Sequence, residues 1–79
     1  MYIVYVLQDG EGKFYKGFTN NLARRFSEHI KGKTRTTSLM SNLDIVYTEE
    51  VSDRPTARKR EMYLKSAAGR RFLKKTLQS

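Results

Sequence analysis

The sequence contains no cysteine, and it is poor in acidic residues and in long apolar runs. The lack of cysteine excludes disulfide bonds, thiolate metal sites and a cysteine nucleophile, and it fits a cytoplasmic protein. No apolar run approaches the roughly 18 residues that a membrane-spanning helix needs. The N-terminal segment has neither the basic start nor the small-residue cleavage site of a signal peptide, and it is typical of a strand instead. We therefore expect a cytoplasmic protein.

The acidic residues are outnumbered by basic ones. Against 8 Asp and Glu stand 16 Lys and Arg in 79 residues, a net charge of +8. This excess favours a polyanionic partner, of which nucleic acid is the commonest. One alternative is a charged surface that only keeps the protein in solution. A membrane-surface role is less favoured, because the basic helices lack a broad apolar face with aromatic residues.

The patterning predicts one α/β (α+β) domain that covers residues 1–79, with elements in the order β-β-α-β-α-α. Residues 2–7 are apolar on both alternating faces, which is typical of a central strand covered on both sides. A turn over residues 9–12 leads into a returning strand at 13–17, so these segments form a β-hairpin. A third strand at 43–49 completes a three-stranded antiparallel sheet with a thin core.

Helices are expected to flank this sheet. The first begins after Asn20 or Asn21, runs to about Lys31 and ends at Gly32. Its buried face is predicted to hold three apolar residues at four-residue spacing, namely Leu22, Phe26 and Ile30.

The C-terminal part of the chain predicts two more helices. Asp53 is a suitable N-cap, and Pro55 is tolerated in the first turn that follows. This second helix is expected to run to about Ala68 and to stop at Gly69, because glycine commonly ends helices. The last helix then covers residues 70–77.

Several polar residues occupy positions that face inward. Tyr5 and Tyr15 lie on the two hairpin strands, and the loop length puts them on one face of the sheet. Aromatic packing is the alternative explanation. On the first helix, Arg25 and His29 lie beside the apolar face, whereas Arg24 points to solvent. Arg25 could also be a surface side chain that only packs its stem, and His29 a boundary residue.

Glu61 is predicted to lie in the middle of the apolar face of the second helix. Carboxylates are almost never fully buried unless they are paired or bound to metal. Two interpretations stay open, a structural ion pair with Arg25 and a metal ligand. Both place Arg25 and Glu61 close together.

A basic segment with Lys31, Lys33 and Arg35 follows the first helix and is interleaved with hydroxyl side chains. Cations and hydroxyls of this kind suit phosphate contacts. An ordinary polar surface loop is the alternative.

Taken together, these residues resemble the GIY-YIG nuclease superfamily. Val4-Tyr5, followed after nine residues by Tyr15-Lys16-Gly17, is similar to its two half-motifs. In residues 17–29, as in the family's next segment, an arginine follows the motif glycine by eight residues and a histidine follows that arginine by four. Residues 60–65 and 69–74 resemble the helical end of small stand-alone bacterial members, which are related to the N-terminal nuclease domain of the bacterial repair excinuclease.

The resemblance covers essentially the whole chain, with small departures. Ile3 stands where the first half-motif usually has glycine, a change common in the stand-alone members. Lys16 stands where a β-branched apolar residue is usual, and it adds charge near the expected site. The late asparagine of some members has no clear counterpart in this sequence.

The resemblance implies metal-dependent hydrolysis of nucleic-acid phosphodiester bonds, with DNA favoured over RNA and a role in DNA repair or processing. Tyr5 would act on the attacking water with help from Tyr15, and its pKa would have to be lowered by nearby positive charge or metal. His29 could accept the proton instead. Arg25 would bind phosphate, and Glu61 would be the sole protein ligand of Mg²⁺ or Mn²⁺.

Four basic residues are expected to contact the nucleic acid outside the catalytic set, namely Lys16, Lys31, Lys33 and Arg35. The rival interpretation is a non-catalytic nucleic-acid-binding module on the same fold. Such a module needs the basic surface, but it does not need a carboxylate on an apolar helix face.

Overall fold

A computed structural model describes residues 1–32 and 42–77 of the chain. In these ranges the elements are β1 (Tyr2–Gln8), β2 (Phe14–Thr19), α1 (Leu22–Ile30), β3 (Asp44–Val51), α2 (Arg54–Lys65) and α3 (Ala67–Leu77). The strands form an antiparallel sheet in the order β2-β1-β3. The predicted fold class and element order are therefore confirmed, with β1 in the centre. None of the helices described is long and apolar enough to cross a bilayer.

The central strand separates two layers, because successive side chains of a strand point to opposite faces. Val4 and Val6 face α2 and α3 and form a fully buried core with Ala57, Leu64 and Leu73. The intervening residues Tyr5 and Leu7 are also buried, but they point to the other face of the sheet. The pattern of residues 2–7 thus predicted correctly that both faces are covered.

Side-chain caps set the starts of the first two helices. The Asn21 side chain accepts a hydrogen bond from the backbone N–H of Arg24 at 3.1 Å, and Asp53 accepts one from Thr56 at 2.9 Å. Each bond satisfies one of the free N–H groups of a first helical turn. After α1, Gly32 adopts a φ of 74°, a left-handed conformation that favours glycine.

The prediction for the buried face of α1 was wrong at Ile30. Ile30 is 60% exposed, whereas His29 is only 1% exposed. Four-residue spacing drifts by about 40° per step on a helix of 3.6 residues per turn. The stripe that stays straight runs from Leu22 through Phe26 to His29, and this stripe faces the sheet.

The boundary between the last two helices was also predicted wrongly. α2 ends at Lys65, the extended Ser66 separates the helices, and Ala68 lies exposed in α3. The Ser66 hydroxyl accepts the backbone N–H of Gly69 at 3.1 Å and so caps α3. A Cβ on Gly69 would overlap the carbonyl oxygen of Tyr63. This glycine therefore permits close packing of two helices and does not end one.

Candidate active site

Tyr5 and Tyr15 lie side by side on the face of the sheet that α1 covers. Their ring centroids are 6.3 Å apart. Tyr5 is paired with Gly17 across the strands, and a Cβ added to that glycine would lie 2.7 Å from the Tyr5 hydroxyl oxygen. Glycine at position 17 is therefore needed for the Tyr5 ring to extend across β2.

His29 joins the two tyrosines from α1. Its Nε2 atom lies 2.8 Å from the Tyr5 hydroxyl oxygen, and its ring centroid is 4.8 Å from that of Tyr15. Burial, together with the positive charge of Arg25, lowers the pKa of His29. The imidazole is accordingly neutral near pH 7 and able to accept a proton.

Burial raises the pKa of Tyr5 to about 12, although hydrogen bonding to Arg25 opposes this shift. Arg25 acts in the expected direction, but loss of water around the phenol on the central strand outweighs the cation, so the net shift of this pKa is upward and not downward as expected. The phenol keeps its proton at neutral pH. Since Arg25 donates to the phenolic oxygen, we assign the phenolic proton to the bond with His29 Nε2.

Arg25 is half-buried and leans inward, whereas Arg24 is exposed, in agreement with their predicted positions on α1. Its Nη1 atom binds Glu28 Oε1 at 3.0 Å, and this bond and hydrogen bonding to Tyr5 raise the pKa of the guanidinium. The expected alternative, a pair between Arg25 and Glu61, is therefore replaced by a pair within α1. Glu28 was missed in the sequence, although its i,i+3 spacing from Arg25 allows such a contact.

Glu61 approaches the site from α2, on the other side of the sheet. Its side chain is 15% exposed and lies 3.7 Å from Lys65 Nζ. Burial is the main cause of the raised pKa of Tyr5, but the negative charge of Glu61 adds to it. Both ends of α2 lie near β2, since Arg54 is 5.8 Å from the Phe18 ring and Lys65 acts on Lys16. Glu61 therefore lies close enough to Tyr5 for its charge to act on the phenol.

A polar cluster that sequence spacing did not reveal holds α2 against β3. The Arg60 guanidinium binds the Glu49 carboxylate with two nitrogens, one of them at 3.1 Å, and the Tyr47 hydroxyl donates to the same carboxylate at 2.7 Å. Arg60 precedes Glu61 directly, so the cluster fixes the part of α2 that carries the candidate metal ligand. Residues 11 positions apart share no periodic signal, and only the fold brings them together.

The basic residues expected to bind nucleic acid have different positions. Lys16 points away from the tyrosines, into the layer of α2 and α3, because it alternates with Tyr15 and Gly17. Lys16 therefore lies on the side of the sheet that carries Glu61 and not on the side of the tyrosines. Lys31 is exposed at the C-cap of α1. Lys33 and Arg35 lie outside the described residues.

The metal-binding potential rests on a single carboxylate. Among residues 1–32 and 42–77, no three His, Asp or Glu side chains come together as a metal-binding group. Mg²⁺ does not need such a group, because it keeps several waters and uses phosphate oxygens of its substrate. Glu61 fits this role, since its carboxylate is partly buried and its ion pair with Lys65 is long, at 3.7 Å.

Known proteins share both the sequence pattern and the fold. The family model of the GIY-YIG catalytic domain matches residues 1–75. A UPF0213 protein of Desulfotalea psychrophila is 39% identical over 79 residues, which cover 96% of this chain and 69% of the relative. A second UPF0213 protein, from Limosilactobacillus reuteri, is 36% identical over 67 residues, which cover 81% of this chain and 70% of the relative. The solution NMR structure of a UPF0213 protein from Bacillus halodurans gives a TM-score of 0.59 at 26% identity, covering 96% of this chain and 85% of that one.

Proposed function

Because this chain belongs to the GIY-YIG family, a family of nucleases, we propose that it is a metal-dependent endonuclease. Its substrate is nucleic acid, with DNA favoured over RNA, and its role lies in DNA repair or processing. The observation that carries the proposal is the hydrogen bond of 2.8 Å between Tyr5 and His29 beside the Arg25 guanidinium. A purely structural aromatic cluster needs neither a buried imidazole acceptor nor a cation next to it.

Tyr5 and His29 act together on the attacking water. Forming a free phenolate at pH 7 from a phenol with a pKa of about 12 costs about 7 kcal/mol. The hydrogen bond avoids this cost, because the Tyr5 oxygen takes a proton from water as its own proton passes to His29 Nε2. Tyr5 then stays neutral throughout, and His29 carries the positive charge.

Arg25 binds the phosphate that is attacked. Its guanidinium has five N–H donors, so the bond to Glu28 leaves others for phosphate oxygens. The bond also fixes the plane of the fork, which reduces the entropy lost when a phosphate binds. Tyr15 packs against His29 and helps to exclude water from the proton path.

Glu61 would hold Mg²⁺ or Mn²⁺. When bound, such an ion acts as a Lewis acid that stabilises the negative charge on the leaving oxygen. Glu61 is fixed for this task by the neighbouring Arg60–Glu49 bond and by the burial of Leu64 one turn later.

The alternative is a nucleic-acid-binding module without catalytic activity, and the net charge of +8 suits it equally. The two functions differ in what Tyr5 does. Tyr5→Phe keeps the ring and removes the hydroxyl, so a nuclease should lose on the order of 10²–10⁴ in cleavage rate. A binding module would keep its affinity and have no cleavage to lose.

The test incubates labelled DNA and RNA with the wild-type protein and with Tyr5→Phe, in Mg²⁺, in Mn²⁺ and in chelator. Tyr2→Phe is the matched control, because Tyr2 lies on the same strand but packs against Phe18 on the other face. Cleavage that requires metal, falls in Tyr5→Phe and persists in Tyr2→Phe supports the proposal. Absence of wild-type cleavage, or equal rates in all three proteins, would reject it.

A further inference from the structure

A cleft between the β-hairpin and α3 is not used by the catalytic residues. Its walls are formed by Gln8, Gly12, Phe14, Arg70, Lys74 and Leu77, and its volume is about 410 Å³. This volume falls within the roughly 300–1,000 Å³ typical of ligand sites. The lining combines an aromatic ring and an aliphatic side chain with two cations, and it contains no acidic residue.

Basic side chains connect this cleft to the candidate metal ligand. Glu61 contacts Lys65 at 3.7 Å. Lys65 and Arg70 both lie near enough to Lys16 for their charges to lower its pKa. Lys16 Nζ is in turn 5.5 Å from the centroid of the Phe14 ring, at the cleft. Lys65, Lys16 and Arg70 therefore form a basic strip between Glu61 and the cleft.

The strip brings like charges together on a small surface. Burial, followed by the charges of Arg70 and Lys65, lowers the pKa of Lys16. Such repulsion destabilises the folded protein unless an anion binds between the cations. An anion that spans several of them must be extended and carry repeated charges, as a sugar–phosphate backbone does.

We propose that the cleft is a nucleotide-binding subsite that holds an unpaired base of the substrate strand, while the basic strip guides its phosphates to Glu61. Phe14 and Leu77 offer apolar contact to the base, and Arg70 and Lys74 offer charge to its phosphates. The subsite rests on the proposed function, and it adds that the enzyme engages a strand whose bases are accessible. It also assigns Lys16, which points away from the tyrosines, a role in guiding the phosphates.

α3 itself provides the matched control for the experiment. Arg70 and Lys74 line the cleft, whereas Arg71 and Lys75 are exposed on the same helix and are not among its lining residues. The variants R70Q/K74Q and R71Q/K75Q remove the same charge from the same element. A difference between them therefore reports position and not net charge.

Binding is measured by fluorescence anisotropy with a labelled single-stranded oligonucleotide in chelator, so that no cleavage interferes. We expect R70Q/K74Q to weaken binding at least tenfold more than R71Q/K75Q does. Its salt slope should fall by about 1.4, because each single-strand phosphate contact contributes about 0.7. Equal losses in the two double variants would overturn the subsite.

Contact with the base is tested separately with Phe14→Leu, which keeps apolar volume beside the core, and with the same oligonucleotide lacking bases. Phe14→Leu should bind the normal strand about fivefold or more weakly than the wild type does. Both proteins should bind the abasic strand with the same affinity. Equal affinities of wild type and Phe14→Leu for the normal strand, with both melting alike, would overturn the base pocket.

Failure of the subsite and failure of the proposed function give different results. A wild type that cleaves nucleic acid, with equal binding losses in the two double variants, rejects the subsite and leaves the nuclease standing. A wild type that does not cleave, with a loss confined to R70Q/K74Q, rejects the nuclease and supports the subsite in a binding module.

Discussion

Replacing Glu61 with glutamine separates catalysis from structure most sharply. The amide has the same shape as the carboxylate, but it is a much weaker ligand for a hard cation. The folded protein loses one ion pair, that between Glu61 and Lys65, whose side chains are 15% and 55% exposed. Pairs of this i,i+4 kind contribute about 0.3–0.5 kcal/mol. In a domain of this size the melting temperature should therefore fall by less than about 4 °C.

The effect of Glu61→Gln on cleavage should be far larger. Loss of the Lewis acid removes several kcal/mol of transition-state stabilisation, and each 1.36 kcal/mol is a factor of ten in rate. We expect the cleavage rate to fall by at least about 10²-fold. Affinity for nucleic acid in chelator should stay equal or rise, because one charge that repels phosphate is gone.

The assay combines thermal melting, single-turnover cleavage and anisotropy on the same preparation. Glu50→Gln is the control, because it removes an equal charge from an exposed position on β3. A Glu61→Gln protein that cleaves at the wild-type rate would refute the metal-ligand role. So would a loss of about 3–5 kcal/mol in stability, which is the size expected when a buried structural ion pair is broken.

Three further predictions concern the tyrosine site and the helix junction. Because the pKa of His29 is lowered in the folded state, the unfolded chain binds more protons than the folded protein below about pH 6.5. The free energy of unfolding measured in urea should therefore fall from pH 7 to pH 5. A flat profile, or an equal slope in His29→Gln, would contradict the buried neutral imidazole. Gly17→Ala should reduce cleavage and cost about 1–3 kcal/mol in stability, because its Cβ would lie 2.7 Å from the Tyr5 hydroxyl; wild-type activity and stability would show that Tyr5 is not held there. Gly69→Ala should lower the melting temperature, since its Cβ would overlap backbone atoms of α2; an unchanged or higher value, as expected for an open helix position, would contradict the close packing.

The sequence predicted those features that depend on local patterns. A run of apolar residues on both faces identified β1 as the central strand. Short polar side chains indicated caps at Asn20 or Asn21, of which Asn21 is the cap, and at Asp53. The helical wheel also distinguished Arg25 from its neighbour Arg24. Each of these inferences needs only the geometry of one strand or one helix, which is why each could be made before the fold was known.

Features that depend on tertiary contact could not be predicted in this way. The sequence around Gly69 looked like a helix end, but the glycine accommodates a second helix that lies against the first. An ion pair between Arg25 and Glu61 was one of two open interpretations, but Arg25 pairs with Glu28 on its own helix. The sign of the shift in the pKa of Tyr5 was wrong because the sequence showed the nearby cation and not the extent of burial.

The burial of His29 beside Arg25 affects how the proposed reaction would start. In the free protein the Arg25 charge, added to burial, keeps the pKa of His29 low, so proton transfer from Tyr5 is unfavourable. A substrate phosphate bound to Arg25 would offset that charge and place a negative group near the imidazole, and both effects raise the pKa of His29. The proton acceptor would thus become stronger only when the bond to be cut is present. Arg25 would then serve the reaction twice, by binding phosphate and by making the activity of His29 depend on that binding.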